Sequence, residues 1–168
     1  MRLILLCILL CFSTRLFSNP EIPVLRSLYY KAAVDKDSWK QMAELLSPID
    51  AKSPPILVCY KGVSEIMEAK YVISPWNKLN SFNSGKELIE SAVNRDSENL
   101  EIRFLRFSVQ TNLPSFLNYH DHIDSDKAFI IDNINKTPDN ELKKSIIQYL
   151  NICKACTEED LKRLKNDR

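Results

Sequence analysis

At 168 residues the chain has the size of one ordinary domain with a single core. Its 45% hydrophobic and 27% charged residues exclude a disordered chain and a membrane bundle, and 23 Lys plus Arg against 22 Asp plus Glu leaves no field to draw nucleic acid or an anionic membrane surface. With only 2 glycines, hairpin-rich sheets and Gly-loop nucleotide sites lose the residue they depend on.

Residues 1–18 are expected to be a signal peptide. Met1 and Arg2 form a short basic start, Leu3 to Phe12 is an apolar run too short to span a membrane, and Ser18 is a small residue at the expected cleavage point. The folded domain is then predicted over 19–168, exported to the periplasm or beyond, with no membrane span once the leader is removed. An uncleaved N-terminal anchor is the alternative reading of the same run.

The spacing of apolar residues predicts helices throughout. Glu21 to Val34 places Val24, Leu25, Leu28, Tyr29, Ala32 and Ala33 on one stripe. After Asp37, Trp39, Met42, Ala43 and Leu46 repeat the pattern until Pro48, and the short link implies that the two helices run back against each other. Ser53 is expected to cap a third helix that opens on proline and carries Ile56, Cys59, Tyr60, Val63, Ile66, Met67 and Tyr71. Ser74 and Pro75 begin a fourth, with Trp76, Leu79, Phe82, Ile89, Ala92 and Val93 on one face up to Asp96. Gly85 lies inside it, where glycine costs about 1 kcal/mol against alanine, so a neighbouring helix is expected to pass close by.

From Glu98 to Gln110 the residues are apolar on nearly every side, which predicts a central helix. Ser115 to Ile123 reads as a connecting segment, and Asp124 or Ser125 as the cap of a helix carrying Ala128, Phe129, Ile131 and Ile134. Thr137 and Pro138 open the next, predicted to run to about Cys156 through Leu142, Ile146, Tyr149, Leu150 and Cys153. Thr157 with Asp160 three places on predicts the cap of a short charged helix over 157–166.

The stretch Gly85 to Asn99, with Gly85, Ile89 and Ala92 at its packing positions and Asp96 to Asn99 as its exit turn, resembles the second helix of a tetratricopeptide repeat. Ser97 stands where such repeats usually carry proline, and the preceding helix lacks a clean first-helix pattern at the spacing of about 34 residues. Through Tyr60-Lys-Gly, Ala69-Lys-Tyr, Asn99 to Phe107 and Phe116 to Tyr119, the chain also resembles a group of uncharacterised exported helical proteins of Bacteroidota. The resemblance implies an all-α fold of antiparallel helical hairpins stacked in a tetratricopeptide-like array. Such stacks leave a face that can hold a peptide or partner helix. A non-catalytic protein- or peptide-binding module of the cell envelope, with no cofactor and no nucleic-acid partner, is therefore the expected function.

Three clusters offer chemistry. His120, His122 and Asp124, with Asp121 and Asp126 beside them, combine imidazole and carboxylate as a zinc-like ion prefers, and would carry a metal-dependent enzyme or factor. Against this, Asp124 and Asp126 are also ordinary first-turn residues favoured by the helix dipole. Cys153 and Cys156 have the spacing of a redox or structural disulfide, without the strand-to-helix setting of a thioredoxin-like site. Arg103 and Arg106 should share a helix face and need either ion pairs with Glu65, Glu68, Glu87 or Glu90, or an anion to hold. Trp39, Trp76, Tyr29, Tyr30, Tyr60 and Tyr71 line either a groove or the core. No Ser-His-Asp motif, nucleophile elbow or His-Glu-x-x-His motif is present.

Overall fold

The computed structural model describes residues 19–166, so the predicted leader, residues 1–18, lies outside the described residues. Eight α-helices form the described part, and no strand occurs within it. In chain order they are α1 (Ile22–Ala32), α2 (Lys36–Leu46), α3 (Pro55–Glu68), α4 (Pro75–Arg95), α5 (Leu100–Asn112), α6 (Ile123–Asn133), α7 (Asn140–Ile152) and α8 (Glu158–Asn166). Single 3-10 turns at Ser115–Leu117 and Ile134–Lys136 follow α5 and α6. No described helix is long and apolar enough to cross a membrane.

The helix starts show why the sequence punctuates where it does. Asp35 accepts hydrogen bonds from the amides of Asp37 and Ser38 at the start of α2, Asn99 does the same for Glu101 and Ile102 in α5, and Asp139 accepts from the amide of Leu142 in α7. Each satisfies amides that the first turn leaves unpaired, worth about 1 kcal/mol. Thr157 and Asp160 form the expected reciprocal cap of α8, the threonine amide donating to the carboxylate and the aspartate amide to the hydroxyl.

Other boundaries differ from expectation. Ser53 does not cap α3: its hydroxyl folds back on Asp50, and Pro54 occupies the cap position with Pro55 as the first helical residue. Neither Asp124 nor Ser125 caps α6, which begins at Ile123; Ser125 instead donates to the carbonyl of His122. The third helix stops at Glu68 rather than Tyr71. The seventh stops at Ile152, because Cys153 takes an extended backbone and the chain turns at once, the amide of Cys156 donating to the carbonyl of Cys153.

Successive helices pair, α1 with α2, α3 with α4 and α5 with α6, and α3 also meets α5. The α3–α4 pair is the most intimate, since both glycines of the chain, Gly62 and Gly85, meet at its crossing. Helix α4 is 21 residues long against 14 for α3. Its ten residues ahead of Gly85 extend about 15 Å, past the end of α3. Trp76 and Leu79, expected on the core face, are therefore 69% and 45% exposed.

Two clusters of buried side chains share α5. Ile102, Leu105 and Val109 pack with α1 to α4, while Phe104 and Phe107 pack with Ile130, Ile134, Leu142, Ile146 and Leu150. The near-continuous apolarity of this helix thus has its reason: it has neighbours on both sides. Each fully buried side chain of this size contributes about 1.5–3 kcal/mol.

Candidate functional site

A concavity lies between the C-terminal part of α1, the C-terminal part of α3 and the end of α5, with Leu113, Pro114 and Leu117 closing one side. It encloses about 690 Å³. A second depression of about 350 Å³ adjoins it and shares Ile66, Ala69, Leu113 and Leu117 as a common wall. The second is open towards solvent, where Phe116 is 82% exposed and Leu79 also stands out. Val63, Ile66, Met67 and Val109 form the apolar floor of the first depression.

Tyrosines border the larger depression. The rings of Tyr29 and Tyr30 lie 5.2 Å apart between centroids, tilted by 59°, and the Tyr29 hydroxyl lies 2.7 Å from Ser108 Oγ. The hydroxyl of Tyr149 lies 2.6 Å from Thr111 Oγ1 and accepts from Asn112 Nδ2 at 2.7 Å. Burial pushes the Tyr149 phenol up to about 12 and the Tyr29 phenol higher still, so both stay neutral at physiological pH. The two depressions are lined by no His, Cys, Asp or Glu, and their only charged residues are Lys70 and Lys78. A surface of this kind suits contact with an apolar ligand more than proton transfer.

Of the predicted groove aromatics, only Tyr29 and Tyr30 line this concavity. Tyr60 is buried and donates to Glu101 at 2.6 Å, Trp39 packs on Tyr71 with centroids 4.9 Å apart, and Trp76 projects into solvent. Sequence reading missed Leu113, Phe116 and Leu117 as groove residues. The available signal was Phe116 and Leu117, two large apolar side chains in the segment read as a connector, with Leu113 just ahead of it.

The arginine pair is taken up within the protein. Arg106 reaches Asp126 with Nε at 2.8 Å and Nη2 at 2.9 Å, and Glu90 with Nη1 at 2.7 Å. Arg103 also pairs with Asp126 and lies over the Phe129 ring. Of the four glutamates expected as partners, Glu90 is used, while Glu65 and Glu68 instead accept from Ser84 and Ser81. Asp126 is wholly buried. Two guanidinium groups and hydrogen bonds compensate the desolvation of its charge. A second buried pair, absent from the sequence reading, joins Arg26 to Glu101 through two hydrogen bonds of 2.9 Å and continues to Asp139 at 3.0 Å.

The His120 to Asp126 segment is dispersed. The Nε2 of His120 lies 3.2 Å from the carbonyl of Leu113, His122 faces Glu90 at 3.9 Å, and Asp124 points into solvent near Lys127. Asp126 faces the arginines. Among the described residues no three His, Cys, Asp or Glu side chains are placed together to hold a metal ion.

Cys153 and Cys156 sit half-buried at the α7–α8 turn as thiols, and Cys59 is fully buried. Burial and the adjacent Cys153 push the Cys156 thiol up to about 12, opposite to the lowered value that makes a cysteine a ready nucleophile. The dominant feature is thus an apolar groove with a lysine at each part, beside charge pairs that are internally satisfied. Compared with family models, with curated proteins and with solved structures, the chain finds no match.

Proposed function

We propose that the chain is an exported, non-catalytic binding module of the cell envelope, its helical hairpins stacked in the tetratricopeptide-like manner, which holds an apolar segment of another protein or peptide in the groove over Ile66 and Leu113. The observation that carries the reading is the run of uncovered large apolar side chains beside that groove. Phe116 and Leu79, both in the lining of the second depression, are 82% and 45% exposed, and the exposed Ile73 and Trp76 lie within two residues of Pro75 of the same lining. Isolated exposed hydrophobics need no explanation, but a group of them at the edge of a concave apolar surface marks a binding site. The lining holds no His, Cys, Asp or Glu, and its Tyr29, Tyr149 and Ser108 hydroxyls are engaged in hydrogen bonds within the protein, which supports binding over catalysis.

The test is affinity capture from an envelope extract with the tagged chain and with a Phe116→Asp, Leu79→Asp variant in parallel. Both positions are solvent-exposed, so the variant should fold, which circular dichroism checks. A stoichiometric partner retained by the unmodified chain and lost by the variant is the expected result. A partner retained equally by both would move the site elsewhere, and bound metal with no partner would revive a metal-dependent role for His120 and His122.

A further inference from the structure

We infer that the groove takes an amphipathic helix with an acidic polar face. This rests on the binding reading above and goes on to the chemistry of the partner. The first argument is charge. Lys70 and Lys78 are the only charged residues lining the two depressions, both are exposed, and neither forms an ion pair among the described residues. Lys70 makes only a long contact of 3.4 Å with the carbonyl of Ala33. A chain with balanced totals of 23 basic and 22 acidic residues therefore carries charge of one sign only in the lining of this apolar groove. Complementary charge at such a lining speeds encounter and rejects partners of the same sign.

The second argument concerns shape. The described residues offer no strand edge, so an extended peptide cannot add to a sheet; the lining, in which aliphatic side chains outnumber aromatic ones, suits an amphipathic helix laid in the trough more than a proline-rich segment. The adjoining depressions, sharing Ile66 and Leu113, fit successive apolar residues on one helix face. A second copy of this chain is the weaker occupant. In a two-fold interface the same patch serves both partners, which would bring the lysines of one copy towards those of the other with no carboxylate in either lining.

The experiment is display selection of random 16-residue peptides on the immobilised full chain, with counter-selection on the Phe116→Asp, Leu79→Asp variant. Enriched peptides are expected to carry apolar residues at helical three-and-four spacing and a net negative charge. One selected peptide, measured by fluorescence anisotropy, should bind a Lys70→Glu, Lys78→Glu variant at least tenfold more weakly and should weaken with added salt. Enrichment of neutral or basic peptides, of proline-rich extended ones, or an unchanged affinity after charge reversal would overturn the acidic-helix inference while leaving the groove intact. If counter-selection removes nothing, the groove itself is not the binding site. A dimer in sedimentation that dissociates in the Phe116→Asp, Leu79→Asp variant would assign the groove to a second copy and overturn the inference.

Discussion

A β-carbon on Gly62 would stand 2.6 Å from the carbonyl oxygen of Gly85, and a β-carbon on Gly85 would stand 2.5 Å from that of Gly62. Each clash is with backbone, which cannot rotate aside. At most helical positions alanine stabilises relative to glycine by about 1 kcal/mol. Here the sign should reverse. Gly85→Ala is expected to cost about 1–3 kcal/mol, as overpacking does, and Gly85→Leu at least as much. Urea unfolding measures it, and a midpoint that stays or rises would remove the close-crossing account. Because the two positions share one crossing, Gly62→Ala with Gly85→Ala should cost measurably different from the two single losses added together.

Glu101 should be among the least replaceable polar residues. It is 7% exposed and satisfies both Arg26 and Tyr60. Removing it leaves the buried Arg26 guanidinium only the part-exposed Asp139 carboxylate and takes away the acceptor of the Tyr60 hydroxyl, so Glu101→Ala is expected to destabilise by about 3 kcal/mol. Joint replacement by Arg26→Met and Glu101→Leu should recover the part of that loss due to the underpaired guanidinium, leaving the part due to the Tyr60 hydroxyl. A double variant no more stable than Glu101→Ala alone, in the same denaturant titration, would contradict this.

Asp139 should give the protein an acid-sensitive component of stability. The amide of Leu142 and, against the cost of desolvation, the guanidinium of Arg26 hold its carboxyl below the ordinary carboxylate value. A carboxyl lowered in the folded state stabilises at pH above its unfolded value of about 3.9, and that contribution is lost as pH falls through the folded value. The stability difference between the unmodified chain and an Asp139→Asn variant should therefore be constant near neutrality and shrink below about pH 4. A difference independent of pH down to pH 2 would show that the carboxylate charge is not what matters.

The thiols should react slowly. With Cys156 pushed up to about 12, its alkylation by iodoacetamide at neutral pH should lag well behind that of a free cysteine and rise about tenfold per pH unit. Cys59, buried and pushed up further, should react only after unfolding. Mass-spectrometric mapping of alkylated peptides resolves the sites, and rapid labelling of Cys156 at pH 7 would return the Cys153–Cys156 pair to consideration as a redox centre.

Much of this architecture is written locally, and the parts that were missed are those that depend on distant partners. Apolar spacing together with Pro55, Pro75 and the Thr157–Asp160 cap locates the helices to within a few residues. The two-sided apolarity of α5 announces its central place. Gly85 indicates that something passes close by, but nothing near it in sequence says that the neighbour is Gly62. Asp126 looks like a first-turn acid or a metal ligand when read beside His120 and His122, yet its role is fixed by Arg106, twenty residues earlier. Arg26 and Glu101, 75 positions apart, are ordinary surface types until the chain between them is folded. The groove was hidden for the same reason, because Leu113 and Leu117 line a wall only once α1 and α3 are in position.

The bond from Arg26 to Asp139 spans 113 positions, which places the first helix and the approach to the seventh under one electrostatic lock. Closing such long loops is entropically costly and comes late. During synthesis, α1 emerges before either carboxylate exists, so its arginine waits in water until Glu101 is made and gains Asp139 later still. The final fastening of the N-terminal helix is thus tied to completion of nearly the whole sequence.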